Sequence, residues 1–179
     1  LGALCKFTRR WLKAKDGTTA IEFSLLAVPY LMLSLGIIEL GIMFATASML
    51  EGATSKASRM IRTGQLQQSS SPDPQQDFED ELCQYADVLI DCSRVVVEVI
   101  PMQSYNDYSN LAPQFDENGD MVSGGFDAGG SNQRVLVRVS YRYQMLTPFI
   151  GQLLAPPIGE RLFMSTLVLQ SEPYEFGGV

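Results

Sequence analysis

The sequence predicts an α+β chain: a long N-terminal transmembrane helix followed by a small antiparallel-sheet domain. Three observations predict it. Residues 23–38, FSLLAVPYLMLSLGII, contain no charge. Residues 134–143, RVLVRVSYRY, alternate in period two, and residues 94–100, RVVVEVI, are rich in β-branched side chains, which is the composition of strands. Charge is also split along the chain. Five basic residues and Asp16 give the first seventeen residues +4, so a formal net charge of −7 leaves −11 on the remainder. A basic head and an acidic body mark a chain that sits across a boundary. The acidic body argues against a nucleic-acid partner, which takes positive charge to hold.

With its mild flanks at 18–22 and 40–50, the apolar run reaches roughly 30 residues, where about 20 suffice to span a bilayer. Lys6, Arg9, Arg10, Lys13 and Lys15 lie immediately before it, which keeps the N-terminus on the cytoplasmic side and sends the C-terminal domain across. A buried core helix is the alternative, and the one-sided basic flank speaks against it. The run is too long for a removed secretory signal, and residues 43–51 offer no cleavage site. Glu22 and Glu39 stand at its two ends. Carboxylates are costly in lipid, so Glu39 is expected at the outer interface. Pro29 deletes one helical hydrogen bond and favours a kink.

The helix is expected to continue beyond the membrane. Met49, Ala53, Ala57, Met60 and Ile61 recur at three- and four-residue steps, an amphipathic stripe, and Gly64 is a stop signal. A single helix over 18–64 would be about 70 Å long. The domain organisation then reads as a basic cytoplasmic leader at 1–17, the long helix at 18–64, a polar linker at 65–77 (QLQQSSSPDPQQD), and an extracytoplasmic α+β domain at 78–179. Within that domain, 78–89 reads as a short helix with Phe78, Leu82, Tyr85 and Leu89 on one face. Strands are expected at 94–100, 134–143 and 162–169. In the second, Val135, Val137, Val139 and Tyr141 form one face, and Leu136, Arg138, Ser140 and Arg142 the other, as in a half-buried antiparallel strand. Residues 146–159, LTPFIGQLLAPPIG, read as a short apolar helix from near Pro148 that packs on the sheet or touches the membrane surface. Residues 102–133 read as a long loop holding a weak strand or hairpin. Strand order does not follow from pattern.

Cys83 and Cys92 are nine residues apart, on opposite faces of a continuous helix, so a bond between them requires a turn, which Ile90-Asp91 supplies. In an oxidising compartment the pair reads as a disulfide, adding roughly 2.5–3 kcal/mol in the chain-entropy model. Metal binding is the rival reading, though two cysteines without histidine make a poor site. Cys5, on the cytoplasmic side, reads as a free thiol. There is no histidine in the chain, which removes the commonest general base and metal ligand and rules out a Ser-His-Asp triad. Asp116, Asn118, Asp120 and Asp127 resemble a calcium loop, but Met121 stands where its glycine belongs and Asp127 where its glutamate belongs. The paired glycines at 124–125 and 129–130 match no phosphate-binding loop. No catalytic residue and no cofactor are expected, and the chain reads as a non-enzyme.

Residues 16–23, DGTTAIEF, follow the basic stretch and open the apolar run. Gly, four residues, then Glu and an aromatic is the pattern of type IV prepilin leaders. In the wider stretch GTTAIEFSLLAVPYLMLSLGIIELG, the residues Gly17, Ala20, Ile21, Glu22, Phe23, Pro29, Gly36, Ile37, Glu39 and Gly41 closely resemble the opening of the TadE-like family, pseudopilins or minor pilins of the bacterial tight-adherence (type IVc) pilus. Ser24 stands where the family usually has Ala. The likeness extends through LEGATSKASRMIRTGQ and VLVRVSYRYQMLTPFIG, and covers the chain except for 65–80 and 102–132. Proteins of this family often carry a cysteine pair in the region of Cys83 and Cys92.

The resemblance implies a pilin-type site. A membrane prepilin peptidase would cut between Gly17 and Thr18, where a residue without a side chain lets the enzyme approach the backbone. Glu22 and Phe23 would then be residues five and six of the mature chain, and the Glu22 carboxylate would pair with the new N-terminal amine of a neighbouring subunit, since buried charges persist when paired. It implies a bacterial inner-membrane protein with a periplasmic C-terminal domain, whose partners are the membrane, other pilin-like subunits and the peptidase. The alternative is an uncleaved single-pass accessory subunit of another resident membrane complex.

Overall fold

Thr18–Arg62 forms one continuous helix, α1, in a computed structural model that describes residues 18–154 and 159–173. Cys5, the basic leader and Gly17 lie outside the described residues. The first part of α1 is bare. Ile21, Phe23, Leu25, Leu26, Ile37 and Ile38 are all exposed, and Glu39 is the first buried residue along the helix. Residues 18–38 rise about 30 Å at 1.5 Å per residue, which matches the thickness of a hydrocarbon core. The helix is long and apolar enough to cross a membrane.

From Glu39 onward one face of α1 is covered. Thr46, Leu50, Ala53, Thr54, Ala57, Ser58 and Ile61 are buried, which follows the expected stripe, with Met49 and Met60 at its edges. Small side chains let the partner elements come close. The hydroxyls of Thr46 and Thr54 donate to the carbonyls four residues back, at 2.9 and 2.7 Å, so their burial leaves no orphan donor. Gly64 ends the helix in the left-handed conformation, φ 75°, which glycine adopts at little cost.

The polar 65–77 stretch is not uniformly extended. Gln65–Gln68 makes a short helix, α2, with Leu66 buried. Helix α3 begins at Pro74 and runs to Ala86, earlier at both ends than the 78–89 expected from pattern. Asp73 caps it by accepting from Gln76 N at 3.1 Å, with Pro74 in the first turn, where a missing N–H costs nothing. Phe78 and Leu82 are buried as expected, and Ala86 with them. Tyr85 is not: it lies exposed under the Lys56 ammonium, 5.8 Å from the ring centroid. Leu89 falls in the turn after the helix.

That turn leads to a 3-10 turn at Cys92–Arg94, and the Cys83–Cys92 disulfide joins it to α3 with the Cα atoms 6.0 Å apart. Strand β1, Val95–Met102, then pairs antiparallel with β4, Arg134–Gln144, which pairs antiparallel with β5, Glu160–Gln170. The sheet order is β1-β4-β5. The connection from β1 to β4 holds a 3-10 helix at Tyr105–Asn110 and a two-stranded hairpin, β2 (Gln114–Phe115) with β3 (Met121–Val122). Between β4 and β5 lies α4, Pro148–Leu154.

One face of the sheet packs Val97, Val99, Val135, Val137, Val139, Tyr141 and Tyr143 into a core with α1 and α3. The opposite face of β4, expected to meet solvent, is covered. Leu136, Arg138 and Ser140 are buried. Arg138 sits directly across from Glu98 in the β1–β4 register and forms an ion pair with it. A second guanidinium nitrogen donates to Leu111 O at 2.7 Å, and Glu98 accepts from Gly124 N at 2.9 Å. The long β1–β4 connection is thereby held over the sheet by a charge pair that also bonds to backbone, and such pairing makes burial of two charges tolerable.

A carboxylate junction between the bare helix and the head

Where α1 passes from bare to covered, the sequence places Glu39. The end of β4 and the turn into α4 close over it. Glu39 Oε1 accepts from Tyr143 Oη at 2.9 Å and from Leu146 N at 3.0 Å. Glu39 Oε2 accepts from Thr147 N at 3.0 Å and from Thr147 Oγ1 at 2.8 Å. The residue is 1% exposed. All four contacts are donors, so the arrangement suits a carboxylate on both oxygens. The Thr147 carbonyl accepts the first helical bond of α4, from Gly151 N at 2.7 Å, so the same carboxylate serves the two N–H groups that lead into that helix. Burial pushes the Tyr143 phenol up to about 12, and its bond to Glu39 adds to the rise.

The sequence places Glu39 near the outer interface, where a costly carboxylate faces a polar region or a partner. The level along α1 is the expected one, but the carboxylate is enclosed by protein. Its partners lie more than a hundred residues away in sequence, and nothing local announces them. The signal available was indirect: a lone acid at the end of an apolar run, and a Thr-Pro helix start whose N–H groups need an acceptor.

A second tether closes the far end of the head on α1. Glu172 N donates to Arg62 O at 2.7 Å, with the two side chains 3.7 Å apart. Gln67 Nε2 bridges Ile61 O and Ala128 O at 3.3 and 2.8 Å. The outer half of α1 is therefore held at both ends.

The pilin-type residues lie elsewhere. Glu22 and Phe23 are exposed on the bare part of α1, and among the described residues the Glu22 side chain has no ion pair or hydrogen bond. Thr18 opens α1, and Gly17 is outside the described residues. Pro29 is accommodated within the continuous helix.

The calcium-like residues do not converge. Asp116 accepts from Asn118 N and Asp120 N at 2.9 and 2.8 Å inside the hairpin turn, and those bonds, led by the one from Asp120, hold its carboxyl below the usual range. Asp120 is paired with Arg142, and Asp127 accepts from Gly129 N in a separate turn. Among the described residues no group of three or more His, Cys, Asp or Glu side chains is placed to hold a metal.

A family model described as TadE-like protein matches residues 17–59. Over these residues the chain is similar to the TadE-like family. The match spans the bare helix, Glu39, and most of the covered half of α1. No curated protein and no solved structure matches the chain. The TadE-like segment contains Gly17, Glu22, Phe23 and Glu39, so the junction carboxylate belongs to the matched segment while its four donors belong to the head. The likeness read in VLVRVSYRYQMLTPFIG lies outside the match.

Proposed function

We propose that this chain is a single-pass pseudopilin-like protein that takes part in assembly of a tight-adherence pilus, processed after Gly17 and set in the bacterial inner membrane with its head in the periplasm. The observation that carries the reading is the TadE-like match over residues 17–59, a segment that is bare for about one bilayer thickness and then docks under a small head. In this reading the bare helix makes lateral contacts with the helices of other pilin-like subunits. Glu22, exposed and without an ion pair among the described residues, is free to meet the α-amine of a neighbour's Thr18. The head supplies partner choice. The chain has no catalytic role and is itself the peptidase's substrate. Its partners are the membrane, pilin-like subunits and the prepilin peptidase.

The deciding experiment is the intact mass of the protein purified from its native membrane. Loss of the first seventeen residues, abolished by Gly17→Leu, is the expected result. A mass that retains them would overturn the processed-pseudopilin reading in favour of an uncleaved accessory subunit of a resident membrane complex.

A further inference from the structure

Beside the junction, the head carries three large apolar side chains that no described residue covers. Leu146, Phe149 and Leu153 are 66, 63 and 74% exposed. Their spacing of three and four residues puts them along one side of α4 and its lead-in turn. The opposite side of α4 is seated on the head. Ile150 and Gly151 are buried, and a Cβ on Gly151 would lie 3.2 Å from Met145 Cβ and 3.4 Å from Gly159 Cα. Single exposed leucines are ordinary on a protein surface, but a cluster of large apolar side chains marks a contact surface.

The height of this cluster is fixed by Glu39. Leu146 N and Thr147 N both donate to that carboxylate, and Glu39 is the residue at which α1 ceases to be bare. One and two residues earlier, Ile38 and Ile37 belong to the exposed apolar surface of α1. The exposed side of α4 therefore begins where the bilayer-length bare segment ends. Arg161, also exposed, donates to Leu154 O at 3.4 Å, which places a cation at the C-terminal end of α4, as favours the helix dipole.

We propose that α4 is an interfacial foot. Leu146, Phe149 and Leu153 enter the boundary between lipid headgroups and acyl chains, and Arg161 faces the headgroup phosphates. The occupant is the bilayer itself, because the bonds from Leu146 N and Thr147 N to Glu39 hold the start of α4 at the level where the bare segment of α1 ends. The proposal rests on α1 spanning that bilayer. Interfacial helices of this kind bury their apolar face about 5–10 Å deep. A free seven-residue helix would bind weakly. Here the span already holds α4 at the surface, so the second contact is intramolecular and three side chains suffice.

The test uses the full chain in phosphatidylcholine vesicles. The single native tryptophan, Trp11, is replaced by Phe, and an indole is introduced in turn by Phe149→Trp, Leu31→Trp and Tyr85→Trp. All three sites are exposed in the chain, so no core packing is disturbed. Vesicles brominated high on the acyl chain report contact with the boundary. The expected result is blue-shifted, bromine-quenched emission from F149W and L31W, and neither effect from Y85W. Quenching of L31W without quenching of F149W would overturn the foot and leave the span standing. A blue shift of F149W without quenching would mean that protein covers this side, which also overturns the proposal. If L31W is itself unquenched, the span reading fails and the foot with it.

Discussion

Glu39→Gln isolates what the junction contributes. The substitution keeps the size and shape of the side chain and replaces one acceptor oxygen with a donor. Two of the four donors around Glu39 are hydroxyls, on Tyr143 and Thr147, which can turn to accept. The other two are backbone N–H groups, one to each oxygen, and these cannot turn. Whichever way the amide is set, Leu146 N or Thr147 N faces an NH2 group. A buried N–H left without a partner costs about 1–3 kcal/mol. Glu39→Ala strips both acceptor oxygens from all four donors and leaves a void, for an expected loss of about 3–5 kcal/mol. The assay is unfolding of the head in lipid nanodiscs, followed by near-ultraviolet circular dichroism so that α1 does not dominate the signal. Amide exchange at Leu146 and Thr147 gives the local readout. The order wild type, then E39Q, then E39A is expected. An E39Q protein within about 0.5 kcal/mol of wild type, the range of an ordinary surface change, with unaltered exchange at both amides, would refute the reasoning.

Three further outcomes follow from the geometry. Arg138→Leu strands the buried Glu98 carboxylate and should cost about 3–5 kcal/mol in denaturant unfolding, whereas E98L/R138L together should recover much of the loss; Gly124→Ala should weaken the same pair, because its Cβ would lie 2.7 Å from Glu98 Oε1. Cys83→Ser should lower stability by roughly 2.5–3 kcal/mol, and wild-type protein treated with reductant should fall to the same thermal midpoint. The Tyr143 phenol, raised to about 12 from an ordinary value near 10, contributes stability that is fully present below about pH 10 and is lost as pH rises through about 12. Phenolate absorbance of wild type minus that of Tyr143→Phe locates the transition, and a midpoint near 10 would contradict the buried junction.

The elements that announce themselves by period were legible. The alternation of 134–143 marks β4, the valines of 94–100 mark β1, and the small-residue stripe after Met49 marks the covered half of α1. Alternation groups Arg138 with Leu136, Ser140 and Arg142, but it says only which residues share a side. It does not say whether that side is covered, and the cover comes from Leu111 and Gly124, on an irregular connection with little pattern of its own. Helix α3 starts earlier than its apolar spacing suggests because its start is set by Asp73 and Pro74, a capping signal rather than a hydrophobic one. Tyr85 fits the spacing of Phe78 and Leu82 but lies at the rim, where a cation serves it better than the core. In the candidate site, the pilin-type residues were readable from their spacing, and so was the position of Glu39. The donors that enclose Glu39 were not, since contacts across a hundred residues depend on the register of the sheet.

Fastening at both ends has a mechanical meaning. With Glu39 gripped at the membrane end and the carbonyl of Arg62 at the other, the head cannot swivel about α1 without breaking one of the two attachments. Head and rod therefore share one angular register: each side of the head is indexed to a particular stripe of the bare helix. A partner that grips the head from one direction would then choose, some 30 Å away across the bilayer, which stripe of apolar side chains the rod turns toward its neighbour.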